Sequence, residues 1–171
     1  PDWSPDGNRI AYSHVSNIET VIMVMNRDGT GKRRLEPFAG LPGSYDLGSA
    51  GDDYEYAPAW SPDGARIAFH SSSKHHVPKY SRESYFGNAI FVVGQDVSDL
   101  VQLTETTTAN NWHPRWSPDG KQIVYGSDDD GNGRQGYRHG IWTVDSDGSS
   151  PPIRITRRVS GAPLPVWSPD G

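Results

Sequence analysis

Pro58-Ala59-Trp60-Ser61-Pro62-Asp63-Gly64 decides the fold, because the same P-x-W-S-P-D-G pattern returns at Pro1–Gly7, Pro114–Gly120 and Pro165–Gly171. Its tryptophans, Trp3, Trp60, Trp116 and Trp167, lie 57, 56 and 51 residues apart, so the chain is a string of similar units. Within each unit a short β-branched and aromatic run follows the motif: Arg9-Ile10-Ala11-Tyr12, Arg66-Ile67-Ala68-Phe69 and Gln122-Ile123-Val124-Tyr125. A third apolar run comes at Ile22–Met25, Ile90–Val93 and Ile141–Val144, and a fourth at Arg33–Leu35, Val101–Leu103 and Ile153–Ile155. Ser-Pro-Asp-Gly sets φ with proline and closes a tight hairpin with glycine, so it joins the first strand to the second. Asn26-Arg27-Asp28-Gly29 and Asp145-Ser146-Asp147-Gly148 do the same between the third and fourth; Gly94-Gln95-Asp96-Val97 has lost the glycine and is expected to turn more loosely.

Four antiparallel strands per unit, repeated without helical periodicity, specify an all-β fold, a segment of β-propeller with three four-stranded blades. The expected blades are 1–57, 58–113 and 114–164, with 165–171 supplying the first strand of a next blade. A β-sandwich is the competing all-β fold, but its strands do not repeat a seven-residue signature. The spacing exceeds the roughly 40 to 45 residues of a typical blade, so loops are inserted. From Tyr12 to Ile22, Phe69 to Ile90 and Tyr125 to Ile141 the steps are 10, 21 and 16 residues, and from Leu35 to Pro58 the step is 23. In an up-and-down blade all these connections emerge at one end, opposite the tight turns.

Composition narrows the partners. A formal charge of -5 repels nucleic acid and anionic membranes, and no apolar stretch is long enough to span a bilayer. The absence of Cys removes disulfides and thiolate chemistry. No G-x-S-x-G elbow is present, so nucleophilic catalysis would need residues beyond these.

The long-loop end gathers the chemistry. His14, His70, His75, His76, His113 and His139 all fall in or beside these connections, with Tyr54, Glu55, Tyr56, Trp112 and Tyr137. Aromatic and imidazole groups on loops of a rigid scaffold suit recognition, although long polar loops collect such residues anyway. The expected ligand-binding face is His70, His75, His76, Trp112, His113, His139, Tyr137, Tyr54 and Glu55. Asp128-Asp129-Asp130-Gly131-Asn132-Gly133 reads as the first half of a calcium loop, making Asp128, Asp130 and Asn132 candidate ligands. Its twelfth position is His139 rather than a bidentate Glu, so an EF-hand is excluded and a bound ion would need a further ligand; a solvated Asp/Gly turn is the plainer reading. A transition metal on His70, His75, His76 and His113 has no recognised spacing behind it.

Taken together, P-x-W-S-P-D-G-x-x-I-A-[YF], I-x-V-M-x-x-D-G and [LI]-T resemble the TolB-type propeller repeat along the whole chain. That resemblance implies a periplasmic or secreted setting and a protein or small polar ligand, with the remaining blades coming from a longer chain or a homo-oligomer. It also admits an enzyme's propeller: the substrate-gating domain of a serine peptidase, or an oligogalacturonate lyase with a histidine-bound metal.

Overall fold

The structure, a computed structural model, describes residues 1–16, 20–36, 55–71, 87–105, 109–129, 135–156, 161 and 163–171. Twelve strands run in chain order: β1 Asp2–Trp3, β2 Arg9–Val15, β3 Thr20–Asn26, β4 Arg33–Leu35, β5 Glu55–Trp60, β6 Arg66–Ser71, β7 Ala89–Gly94, β8 Val101–Gln102, β9 Asn111–Trp116, β10 Gln122–Asp129, β11 Gln135–Asp145 and β12 Ile153–Arg154. They form three four-stranded antiparallel sheets, β1-β2-β3-β4, β5-β6-β7-β8 and β9-β10-β11-β12, each a blade in up-and-down order. No helix occurs among the described residues.

The repeated motif is explained atom by atom at the turns. In Ser117-Pro118-Asp119-Gly120 the Gly120 N–H donates to Ser117 O at 2.9 Å, and Gly120 adopts φ +72. Ser117 Oγ donates to Asp119 Oδ1 at 2.7 Å and accepts from the Gln122 N–H at 2.9 Å. Ser4 and Ser61 repeat both contacts, donating to Asp6 and Asp63 and accepting from the Arg9 and Arg66 N–H groups. These hydrogen bonds favour the charged carboxylate, and they are the leading reason that Asp6 is lowered to about 2 and that Asp63 and Asp119 lie below their ordinary value.

Blades stack through alternate strand positions. Ala11, Ile22, Val24 and Leu35 of blade 1 meet Trp60, Ile67, Phe69, Phe91 and Val93 of blade 2. One strand position over, Ala59, Ala68, Ile90, Val92 and Leu103 meet Trp116, Ile123, Tyr125 and Val144 of blade 3. Full burial of each large side chain contributes about 1.5–3 kcal/mol, so these two interfaces carry most of the cohesion. The motif tryptophan is buried in both, and at the blade 2–3 junction it also bonds across. Trp116 Nε1 donates to Ala59 O of the preceding blade at 2.9 Å, and the Arg66 guanidinium lies 4.7 Å from the Trp116 ring centroid. Arg9 covers Trp60 likewise at 4.9 Å. Trp167 repeats the bond, Nε1 donating to Arg115 O at 3.2 Å, which docks 165–171 against blade 3 in the place of a next first strand.

Two expectations are corrected. The glycine-free turn is not looser: Gly94 N to Ser98 O and Val97 N to Gly94 O are both 2.8 Å, against 2.9 Å for the matching bonds of Asn26–Thr30. Val97 takes the glycine's left-handed conformation at φ +73, because the paired strands impose the turn whatever residue fills it. Nor is the third blade's 16-residue connection mostly loop. β10 and β11 continue pairing out to Asp129 opposite Gln135, since the backbone satisfies its own donors by extending the hairpin.

Candidate functional site

The end opposite the Ser-Pro-Asp-Gly turns is reached by the starts of β5, β9 and β11 and the ends of β6 and β10. Both inner strands carry a β-bulge there. Ala57 and Pro58 stand opposite Phe69 alone, and His113 and Pro114 opposite Tyr125 alone. Ala57 and His113, each preceding the motif proline, have φ +52 and +53. Proline cannot donate to the ladder, and a bulge accommodates the missing bond. The consequence is local: the bulge turns the residue before proline out of the normal alternation.

In blade 3 that residue is His113, which meets His70 of blade 2. The two rings are 5.7 Å apart in an edge arrangement, and the His113 N–H donates a long bond to His70 Nδ1 at 3.4 Å. Tyr56, paired with His70 across the sheet, stacks on it at 5.5 Å. His70 is 5% exposed. Burial and then the neighbouring His113 push its pKa down to about 3, and burial followed by Arg115 lowers His113. Both imidazoles are therefore neutral near pH 7. With its Nδ1 accepting the long bond from the His113 N–H, the neutral tautomer that fits His70 is the one protonated on Nε2.

A second group lies one residue away. Trp112 pairs with Gly126, where a Cβ would come 2.4 Å from the indole Nε1, so only glycine leaves room for the ring. Trp112 Nε1 donates to Pro163 O at 3.1 Å, and His139 stands edge-on to the indole at 5.4 Å with its Nδ1 bonded to Gly161 O. Trp112 thus presents a fixed aromatic wall.

Of the residues expected at this face, the structure joins His70 to His113 and Trp112 to His139. All four stand on strands rather than loops, because the strands reach further outward than their apolar runs. Glu55 opens β5 opposite Ser71, and Tyr137 lies in β11. Tyr54, His75, His76, Asp130 and Asn132 lie outside the described residues. Asp128 commits both carboxylate oxygens to Asn110, Oδ1 accepting from the backbone N–H at 2.6 Å and Oδ2 from Nδ2 at 3.0 Å. It clamps the entry of β9 to β10. Among the described residues no three His, Asp or Glu side chains are grouped as metal ligands. Sequence reasoning placed Tyr56 at this end but not in the expected ligand-binding set, and left the Asn110 clamp out; the motif proline inside a strand was the available signal for the bulge.

Radially stacked four-stranded sheets with a motif tryptophan at each junction define a β-propeller. The chain belongs to the TolB β-propeller domain family, whose model matches residues 1–171. It is similar in structure to a putative TolB from Agrobacterium tumefaciens, with TM-score 0.71 and 24% identity over 99% of this chain and 54% of that one. TolB from Acinetobacter baumannii gives TM-score 0.60 and 18% identity over 91% of this chain and 31% of the other. In sequence the chain is 29% identical over 114 residues to an uncharacterized peptidase, YuxL, of Bacillus subtilis strain 168, covering 67% of this chain and 16% of that protein. It therefore spans about half or less of the length of these relatives.

Proposed function

We propose that this propeller segment is a non-catalytic binding or scaffold module that recognises a protein or small polar ligand through the end carrying His70, Trp112, His113 and His139. One observation carries the reading: imidazole and aromatic groups from two adjacent blades converge where the bulges break the repeat, in a setting that keeps both histidines of the junction neutral. Uncharged donors on a rigid, half-desolvated surface favour ligand oxygen atoms over ions. Further blades, from a longer chain or a second copy, complete the ring, and the setting is periplasmic or secreted. A photo-crosslinking residue placed at His113, compared with one at Asp119 on the turn end, tests this in native extract. Discrete adducts at 113 that excess unlabelled chain competes away are expected; equal labelling at both positions, or none at 113, sinks the proposal.

The similarity to the YuxL peptidase favours one other reading, in which the segment is the substrate-gating propeller of a serine peptidase. Coding sequence continuing from residue 171 into a hydrolase domain with a G-x-S-x-G elbow is its expected signature.

A further inference from the structure

The first strands of the blades stand side by side, β1 against β5 and β5 against β9, and each is an edge strand of its sheet, so one backbone edge of each faces the axis unpaired. Which groups that edge presents follows from the ladder. Ser61 N–H donates to Arg66 O and Ser117 N–H to Gln122 O, each at 2.9 Å. By antiparallel alternation the N–H of the preceding tryptophan then points the other way, to the axis. At Trp60 that donor is taken, since it donates to Asp2 Oδ2 of blade 1 at 2.7 Å. At the next junction the residue standing where Asp2 does is Ala59, which has no side-chain acceptor, and the Trp116 N–H makes no hydrogen bond among the described residues. An edge donor satisfied by a carboxylate at one junction is open at the other.

The charge beside that open donor is positive. Arg115 and Val124 are ladder partners, and the trans peptide between Pro114 and Arg115 sends Pro114 O to the side opposite the Arg115 N–H, which is again the axis. Arg115 Nη1 donates to that oxygen at 3.0 Å, so the guanidinium is folded onto the same edge of β9 as the Trp116 N–H, one residue away. Arg115 makes no ion pair among the described residues. With Ala59, Pro62, Pro118 and Trp167 these two residues line a cavity of about 330 Å³, at the small end of ligand sites. Among the described residues its wall carries one carboxylate, Asp2, which is already committed to Trp60. Further blades add first strands around the same axis and leave the edge of β9 facing into it.

We propose that the axial edge of β9 binds the carboxylate of an aspartate or glutamate side chain from a partner polypeptide, one oxygen accepting from the Trp116 N–H and the other from Arg115. Asp2 is the stand-in within the molecule: a carboxylate carried on a strand and reaching across to the equivalent N–H. The guanidinium adds a charge-assisted bond, roughly twice as strong as a neutral one. Proline and tryptophan walls suit the apolar flanks of such a peptide and keep water from the ion pair. The site is at the turn end and involves none of the histidines.

Heteronuclear NMR titration of the chain with acetyl-Leu-Asp-Leu-amide tests the assignment, against the asparagine isostere and against acetyl-Leu-Leu, whose carboxylate is at its C-terminus. A saturable downfield shift of the Trp116 amide is expected, with affinity of order 1 mM or tighter and both control peptides weaker by about tenfold or more. Arg115→Gln is expected to weaken binding by about tenfold or more with resonances of the blade cores unmoved. Ala59→Asp supplies the carboxylate from within, and is expected to shift the Trp116 amide downfield with no peptide present and to abolish binding. No saturable shift at Trp116 up to about 10 mM overturns the proposal. Equal or tighter binding of either control peptide, wild-type affinity in Arg115→Gln, or a folded Ala59→Asp chain that still binds does so equally.

Discussion

The two ends of the blades are built by opposite rules. At the turn end each Ser-Pro-Asp-Gly copy in blades 1 to 3 makes the same serine-to-aspartate and backbone-to-serine bonds, whichever blade it closes. At the other end equivalent positions hold different residues: Ala57 in blade 2 is His113 in blade 3, and His70 is Gly126. Those exchanges are coupled, since His70 leaves room for Tyr56 to stack while Gly126 admits the larger Trp112. Repetition at one end holds the sheets in register, and this leaves the other end free to vary without loss of the fold.

The strongest way to break that comparison is to remove a repeated residue where it is buried and where it is not. Trp116 is 8% exposed and bonded to the preceding blade, whereas Trp3, the same motif residue on the open side of blade 1, is 56% exposed. Trp116→Ala is expected to lower unfolding stability by about 3–5 kcal/mol, and Trp3→Ala by about 1 kcal/mol or less. Urea denaturation of both variants measures the difference; comparable losses would mean that the tryptophan acts within its own sheet and not as a fastener between blades.

The turn end was legible in the sequence because its information is local. Pro118, Asp119 and Gly120 specify a turn without reference to anything distant, and recurrence of the motif locates every strand around it. The candidate site was legible only as a list. That His70 touches His113 depends on a bulge, and a bulge is a property of two paired strands: it appears only when Trp112 is set opposite Gly126 and Arg115 opposite Val124. Blade 3's long connection was misjudged for a related reason. Its hairpin extension is rich in Gly and polar residues, with no apolar alternation to betray a strand, and backbone pairing alone orders it.

A smaller effect separates the two ends by pH. His70 has a folded pKa near 3 against 6.5 for the free side chain, so the unfolded chain binds the extra proton. The stability this neutral histidine confers is complete above about pH 6.5 and is lost as the pH falls toward 3. The turn carboxylates, all depressed below their ordinary value of 3.8, contribute fully above that value, and their contribution is lost only as the pH falls below it. Between pH 6.5 and 4 the wild type should therefore lose stability relative to His70→Asn, with a slope of at most about 1.4 kcal/mol per pH unit. Parallel stability–pH curves would show that His70 stays solvated, removing the dry junction on which the recognition surface is argued.

The finest discrimination lies within the turn end itself, between Gly29 and Val97, which hold equivalent positions at φ +83 and +73. A Cβ on Gly29 would meet nothing within 4 Å, so Gly29→Val adds left-handed strain with no packing in return and should cost about 1–2 kcal/mol. Val97→Gly relieves the same strain but gives up the contact of Val97 with the blade 1–2 core and frees the unfolded chain. The opposing terms leave it within about 1 kcal/mol of the wild type. Thermal unfolding of the two variants compares them directly. A large gain from Val97→Gly would mean that its side chain contributes almost nothing to the core, and the strain in that turn would then stand with no structural compensation at all.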